Sequence, residues 1–587
     1  MKNLYLVLWI LSLNISAQTP AFQRSWGTYF GDERYSLQDS KVDKNDNLYI
    51  VGTITNQNEP TLVFSTPNSY QSTYNGGTAD GFIVKFNNFG QLIWGTYFGG
   101  NGNDSINGID IDSNNNIYIV GVTDSTTNIA TAGSYQQTNA GNKDFFIASF
   151  SQNGNILWST YYGSTNDEND TPLITGSVSY KRVQICHDKL NSFYISGYSF
   201  SNDLGTIGTF QPNKQQSQNI IAKFNNSGTR IWCTYYGING NYITSLSCNS
   251  TSLLVRGKTA ECSPPLNIYN TYHGSAGSFQ PVPNSCFSTF LSKFNIDGQR
   301  EWSTYYPSSG TTTNAVKLKN DKIYISGYSA NTTAVTTSGA FQETTSGNIS
   351  TSHLVQFNEN GTRNWGTYCG LNSPSTTSTF GSFTANISID DQNKIILSGA
   401  TGLDSNIATT DAYQSINSGI DGYIAKFDEN GQKIWGTYYG GNKQELDMIC
   451  HPHQDNFYVV GNTYSSTGMT TPNCYQENLQ NLDPNNTDPV NVFIAYFVPN
   501  PLKTASFEEK NIKIYPNPNN GIFNINLDNN LNEAFGLEIY NILGEKVQTQ
   551  IINQNQTEIK TNNLSKGVYF VKISKNDAVW NGKVLVE

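Results

Sequence analysis

The chain has 587 residues and a formal charge of −11, with 34 Lys and Arg against 45 Asp and Glu. No basic cluster offers the concentrated positive charge that a phosphate backbone requires, which argues against nucleic acid as a partner. Charged residues make up only 13% of the chain, against a usual share of about 25%, and Asn, Ser, Thr, Gly and Tyr take their place, as suits a surface outside the cell.

In chain order, Lys2 precedes the apolar run Leu4-Tyr-Leu-Val-Leu-Trp-Ile-Leu-Ser-Leu13, and Ile15-Ser-Ala17 supplies small residues before Gln18. This pattern reads as a secretory signal peptide over residues 1–17, with cleavage near Ala17, and it is too short to span a bilayer. No other segment reads as a transmembrane span, so a secreted or outer-membrane-surface location is expected.

A phrase of the form Trp-Gly-Thr-Tyr-Phe-Gly then recurs at Trp26, Trp94, Trp158, Trp232, Trp302, Trp365 and Trp435. The intervals are 68, 64, 74, 70, 63 and 70 residues, a spacing that marks a repeat architecture. Each interval contains four short runs rich in Ile, Val, Phe, Tyr and Thr, broken by Asn, Gly and Asp clusters, and none shows helical periodicity. The runs are termed strands a, b, c and d, with the Trp phrase as strand d. Strands b and c recur seven times; the seventh set, ending Phe493-Ile-Ala-Tyr-Phe497, has no Trp phrase after it, and the first has a spare one before it. A ring resolves the mismatch if the strand around Trp26 completes the last set, which also removes exposed sheet edges. The expected fold is all-β: a seven-bladed β-propeller over 18–499, closed by an N-terminal strand.

The phrase with its following Gly99-Gly-Asn-Gly-Asn-Asp104, the turn at Asp112-Ser-Asn-Asn-Asn-Ile-Tyr118, the aromatic-Gln pair before strand c and Asp80-Gly-Phe-Ile-Val-Lys-Phe86 together resemble the SBBP-type β-propeller repeats of secreted bacterial proteins. The resemblance implies a scaffold and leaves the activity open.

After a polar linker over 500–510, the patterning changes. Seven short strands are expected at 512–515, 522–527, 537–542, 546–552, 558–561, 568–574 and 579–586, which suits a small Ig-like β-sandwich over 511–587. Ile514-Tyr-Pro-Asn-Pro-Asn-Asn-Gly521, Ile539-Tyr-Asn-Ile-Leu-Gly544, Leu564-Ser-Lys-Gly-Val-Tyr-Phe-Val-Lys-Ile573 and Gly582-Lys-Val-Leu-Val586 resemble the type A sorting domain of the type IX secretion system of Bacteroidetes. By that resemblance, residues 511–587 engage the secretion machinery.

With strands running antiparallel, the d-to-a and b-to-c connections share one face of the ring, and this long-loop face is where a glycan or protein ligand is expected. Its acids are Asp32, Glu33, Asp104, Asp167, Glu168, Asp170, Glu445 and Asp447. Converging carboxylates would serve either a polysaccharide hydrolase or lyase or a Ca²⁺ ion, but their recurrence from unit to unit favours turn and capping roles. His451-Pro-His453 and His187 are expected in solvated a-to-b turns rather than around a metal. The Asp43 and Asp112 turns lack the Gly and the bidentate Glu of a Ca²⁺ loop. The aromatics of the seven aromatic-Gln pairs are expected to pack between blades, as are the Trp rings.

Among the eight cysteines, Cys262 with Cys286 and Cys450 with Cys474 are the candidate bridges; Cys186, Cys233, Cys248 and Cys369 read as buried thiols. No residue is assigned as catalytic, cofactor-binding or metal-ligating, since no motif for nucleophile, nucleotide or zinc is present. The expected protein is a monomer that binds rather than catalyses.

Overall fold

The computed structural model describes residues 19–587 except 56–63, 169–182, 216–217, 238–240, 260–270, 284–287, 307–310, 331–334, 346–348, 371–380, 383–384, 403–406, 483–485, 487, 501–512, 527–534, 543–544, 555, 562–563 and 576–577. The signal peptide, the Cys262–Cys286 pair, Asp170 and most of the linker therefore lie outside the described residues. The chain divides into two compact units, one up to residue 500 and one from residue 501.

In the first unit the described residues form seven four-stranded antiparallel sheets. The inner strands touch in sequence from Tyr35–Val42 to Asp104–Ile111, Gln184–His187, Tyr242–Cys248, Thr311–Lys319, Asn386–Ile389 and Glu445–His453, and the last returns to the first. The circle closes as the repeat count requires. Phe22–Phe30 pairs with Asn491–Pro499, placing Trp26 opposite Tyr496 and Phe30 opposite Val492. The most N-terminal described strand thus supplies strand d of the last blade.

The Trp phrase explains how one blade grips the next. A bulge precedes each Trp: Leu92 pairs with Phe86 and Trp94 with Lys85, so Ile93 between them has no partner and turns to solvent. The extra residue bends the outer strand and aims the indole at the following blade. There the indole N–H of Trp26, Trp94, Trp158, Trp232, Trp302 and Trp365 donates to a carbonyl in the next c-to-d turn, at 2.8–3.1 Å. A left-handed Gly closes that turn; at Gly90, φ is 78° and an added Cβ would stand 2.9 Å from the Trp26 ring. Only Gly satisfies both demands.

Trp435 departs from this pattern for a topological reason. The blade after it is split between the two ends of the chain and has no c-to-d turn, so its indole donates to Asp411 O at 3.3 Å, and Phe22 packs edge-on against it at 4.8 Å.

The second seam element is the aromatic-Gln pair. Tyr70, Tyr135, Phe210, Phe279, Phe341, Tyr413 and Tyr475 each meet edge-to-face the Phe that ends strand c of the next blade, at 5.1–6.4 Å and 76–89°. The neighbouring Gln fixes each aromatic, because its backbone N–H donates to the Thr of strand d at 2.8–3.0 Å in all seven. The rings pack across the seams between blades, as expected, with Tyr70, Tyr135 and Phe279 still partly open to solvent.

The second unit contains a three-stranded sheet ordered Lys513–Tyr515, Ile522–Asn526, Gln556–Lys560 and a four-stranded sheet ordered Lys546–Ile552, Phe535–Tyr540, Gly567–Lys575, Ala578–Val586. Their inner faces bury Phe523, Ile525 and Ile559 with Leu537, Ile539, Val571, Ile573 and Val584, a two-layer core with alternating inward residues.

Replacing Trp26 with Ala removes an indole that is 8% exposed and bonded to the c-to-d turn of the adjacent first blade. Urea unfolding of the full chain should show a loss of about 3–5 kcal/mol, the range for large-to-small aromatic core substitutions; a loss below about 1 kcal/mol would show that ring closure does not depend on this contact.

Candidate ligand-binding channel

The d-to-a and b-to-c connections do share a face. Asn101 accepts backbone N–H bonds from Thr126 and Thr127, and Asp124 accepts one from Asn103. The acids expected to line this face are mostly turned inward. Asp32 is buried and chelates the Arg34 guanidinium, with Oδ2 2.6 Å from Nη2. Asp104, Glu168 and Glu445 are at most 1% exposed and lie in the seams between blades. Glu33, half-buried, accepts from Asn486 at 2.8 Å; Asp167 accepts from Asn142 N; and Asp447 stands exposed on a bulge of its inner strand.

Three seams share one construction. The acid that opens strand c meets the acid near the start of the next strand a beneath the Gly that ends strand d: Asp80 and Asp104 under Gly99, Asp144 and Glu168 under Gly163, Asp421 and Glu445 under Gly440. A Cβ on Gly163 would lie 2.4 Å from Asp144 Oδ1 and 2.5 Å from Glu168 Oε2. The Gln of the aromatic-Gln pair holds the strand c acid, with Gln136 Nε2 donating to Asp144 at 2.8 Å and Gln414 Nε2 to Asp421 at 2.7 Å. Ser199 donates to Glu168 at 3.0 Å, and Ser465 to Glu445 at 2.6 Å.

Burial, opposed by these donors, raises the pKa of Asp80 to about 7, of Glu168 to about 8 and of Glu445 to about 7, and raises Asp104 and Asp144 as well. Asp80 Oδ1, Asp104 Oδ1, Asp144 Oδ1 and Glu168 Oε2 have no donor. Two carboxylates so close and so dry cannot both ionise, and each pair is stable when it holds a proton. Such pairs are internal fasteners without the open space that a substrate between two glycosidase acids needs.

The histidines correct the expectation of solvated turns. His451 and His453 lie within strand Glu445–His453, and His451 Nε2 bonds Ser40 Oγ across the seam at 2.7 Å. His187 is 1% exposed, packs at a tilt against Tyr118 at 4.9 Å, and pairs through Nε2 with Asn226 at 2.9 Å. The Asp43 turn is structural: its carboxylate accepts from Asn45 N, Asn47 N and Asn47 Nδ2 at 2.9–3.0 Å, an Asx arrangement that Asp46 completes at φ 61°. No group of three His, Cys, Asp or Glu that would hold a metal occurs among the described residues. The Cys450–Cys474 bridge is not formed, and the two thiols lie in different surroundings. Cys450 is sealed against Trp435 and Met448 in the seam before the last blade, whereas Cys474 is half-buried in a b-to-c loop. Sequence proximity within one unit hides that separation.

Open space lies elsewhere. The inner strands enclose a cavity of about 360 Å³, within the range of ligand sites. Its lining comes from the middle and ends of these strands, toward the a-to-b turns, and includes Asp39, Lys41, Ser245, Lys317, Lys319 and His451. Lys41 belongs to the first blade, and Lys317 and Lys319 to the fifth, as far apart as a ring of seven allows. Burial alone would lower the Lys41 ammonium, but Asp39 and Asp110 outweigh it and hold its pKa above the ordinary value. Asp110 is itself raised by burial and, more strongly, lowered by Lys189 and Lys41. No local motif announces this site, because its residues lie some 70 positions apart in sequence.

The comparisons with known proteins agree with this architecture. Residues 93–129 match the beta-propeller repeat family SBBP, and residues 513–587 match the secretion system C-terminal sorting domain. The chain thus carries an SBBP propeller repeat and a C-terminal sorting domain of the type IX secretion system, which directs it to the cell surface or outer membrane. Among the described residues, no helix is long and apolar enough to cross a membrane. No curated protein matches the sequence. Similar solved structures include a protein of unknown function from Dyadobacter fermentans (9% identity, 82% of this chain and all of that one, TM-score 0.33). Others are the polysaccharide lyase Uly1 (7%, 79% and 89%, TM-score 0.35) and a subtype N11 neuraminidase-like protein from a bat influenza A virus (8%, 66% and 86%, TM-score 0.31). Likeness at this level carries no argument about activity.

The acid pairs make stability depend on pH with a definite sign. Their folded pKa values lie above the unfolded ones, so between about pH 4 and pH 8 the unfolded chain releases protons that the folded chain retains, and stability falls as pH rises through that window. The buried histidines His187, His273 and His353, whose pKa values are lowered by burial, act in the opposite sense below about pH 6.5. The acid pairs are therefore read above it: the thermal midpoint should fall from pH 7 to pH 8.5. Glu168→Gln with Glu445→Gln, which substitutes neutral amides for the protonated acids, should flatten the decline; an unchanged slope in the double variant would rule out these pairs as its origin.

Proposed function

We propose that this exported propeller binds a carboxylate-bearing glycan in its central channel without turning it over. The observation that carries the reading is the placement of Lys41, Lys317 and Lys319 around a cavity of about 360 Å³ in a chain whose formal charge is −11. Three lysines from opposite walls line this cavity, with Asp39 as the one acid beside them. Ammonium groups on opposite walls of a narrow, partly dry channel attract a carboxylate more strongly than they would in open water. Hydroxyl and amide groups such as Ser245 and Gln184 supply the neutral hydrogen bonds that sugars use. Asp104, Glu168 and Glu445 are buried in the seams, and the cavity lining holds a single acid, Asp39, where a hydrolase or lyase would need a pair, which supports binding over catalysis.

Titration calorimetry of the full chain with an oligo-uronate and with a neutral oligosaccharide of equal length separates the possibilities. Saturable binding of the acidic ligand alone is expected, weakened about tenfold by Lys41→Ala and by Lys317→Ala, as loss of one charge-assisted hydrogen bond implies, and weakened by added salt. Equal binding of the neutral ligand, or indifference to both substitutions, refutes the channel assignment. Release of new reducing ends or unsaturated products would establish an enzyme instead.

A further inference from the structure

The inner strands of successive blades are stitched together near their a-to-b turns. In two seams the stitch runs from the residue two before the Asp or Asn that opens an a-to-b turn to the residue just before the equivalent turn in the next blade, and in two others it ends two residues further back. From the second blade to the third, Asp110 Oδ2 accepts the His187 N–H at 2.9 Å, where Asp112 and Asp188 open the turns. From the fourth to the fifth, Ser247 Oγ accepts the Leu318 N–H at 2.9 Å. From the sixth to the seventh, Ser388 Oγ donates to the Cys450 carbonyl. From the seventh to the first, His451 bonds Ser40 at 2.7 Å.

From the third blade to the fourth, the two positions are Cys186 and Cys248, which precede Asp188 by two residues and Asn249 by one. They lie on the touching strands Gln184–His187 and Tyr242–Cys248 and pack in the same apolar cluster with Tyr194, Trp232 and Leu246. Both are free thiols in the structure, and Cys186 is among the neighbours that raise the Cys248 thiol. The chain is exported, so it folds where thiols are oxidised.

We propose that Cys186 and Cys248 form a disulfide in the exported protein, covalently joining the third blade to the fourth. The two thiols give up two protons and two electrons, one S–S bond forms, and the disulfide of an exported thiol-oxidising protein is reduced to a dithiol. Burial and the neighbouring Cys186 push the Cys248 thiol well up, so the folded seam disfavours the thiolate that attacks a disulfide. Oxidation accordingly takes place while the seam is still open, during folding outside the cytoplasm. The other buried thiols differ. Cys233, Cys369 and Cys450 each sit in a separate cluster and remain reduced.

The test is peptide mapping of the full chain after export, alkylated without reduction. The expected product is tryptic peptide 183–189 linked to 231–256, two mass units below the sum of the free peptides. Fragmentation assigns the link to Cys248 rather than Cys233, which shares the second peptide. Dithiothreitol should abolish this species and lower the thermal midpoint by about 2 °C or more. Cys186→Ser and Cys248→Ser should each leave the other thiol open to alkylation, with a midpoint that no longer responds to reductant. Recovery of the two peptides from the unreduced exported protein as separately alkylated species overturns the proposal, and so does a link to Cys233. Because the wild-type map decides the question by itself, a variant that fails to fold does not leave it open.

Discussion

The structure rests on an aromatic contact made one way around a circle. Each outer strand sends its indole into the c-to-d turn of the next blade, and each b-to-c loop seats an aromatic edge-to-face on that blade's final Phe. Both contacts pair large apolar area with a fixed polar or geometric requirement, which makes them specific as well as stabilising. A one-way contact leaves a donor at one end of an open array and an acceptor at the other. Joining them requires the strand Phe22–Phe30 to pair with Asn491–Pro499 and to present Trp26 to Asn88 O in the first blade. The same contact explains the exception at Trp435, whose neighbour is the interrupted blade and therefore has no turn to receive it.

Several recurring residues become intelligible once the seams are in place. The Gly that ends strand d roofs a pair of buried acids, the Gln beside the packing aromatic holds one of them, and Ser or Thr from the next blade holds the other. Acids that look like a catalytic ring along the sequence are therefore consumed in fastening blades. Open space remains between the inner strands, where Lys41, Lys317 and Lys319 line a common cavity.

Much of the fold was legible in the residues. The Trp phrases, the count of b and c strands and the spare phrase at Trp26 imply a closed ring, and the register of Trp26 with Tyr496 bears this out. The change in patterning after residue 510 and the sandwich strands beyond it were legible for the same reason, since periodicity and turn residues are local signals. The site was less legible. His187 reads as part of a polar turn, yet Tyr118 and Asn226 from other strands enclose it. Cys450 and Cys474 share a unit but not a surface. The Cys186–Cys248 contact joins two residues that show no relation until the blades are laid side by side.

By itself, the sequence determined the repeat, the four-strand unit, the closure by the N-terminal strand and the export domain at the end of the chain. Each of these depends on the order and spacing of residues within one unit or on comparing like units. Only the tertiary structure decided which acids are buried, which thiols meet and where the lysines gather. Burial and contact across a seam depend on how the face of one blade lies against the next, and residues some 70 positions apart carry no local pattern that records the meeting.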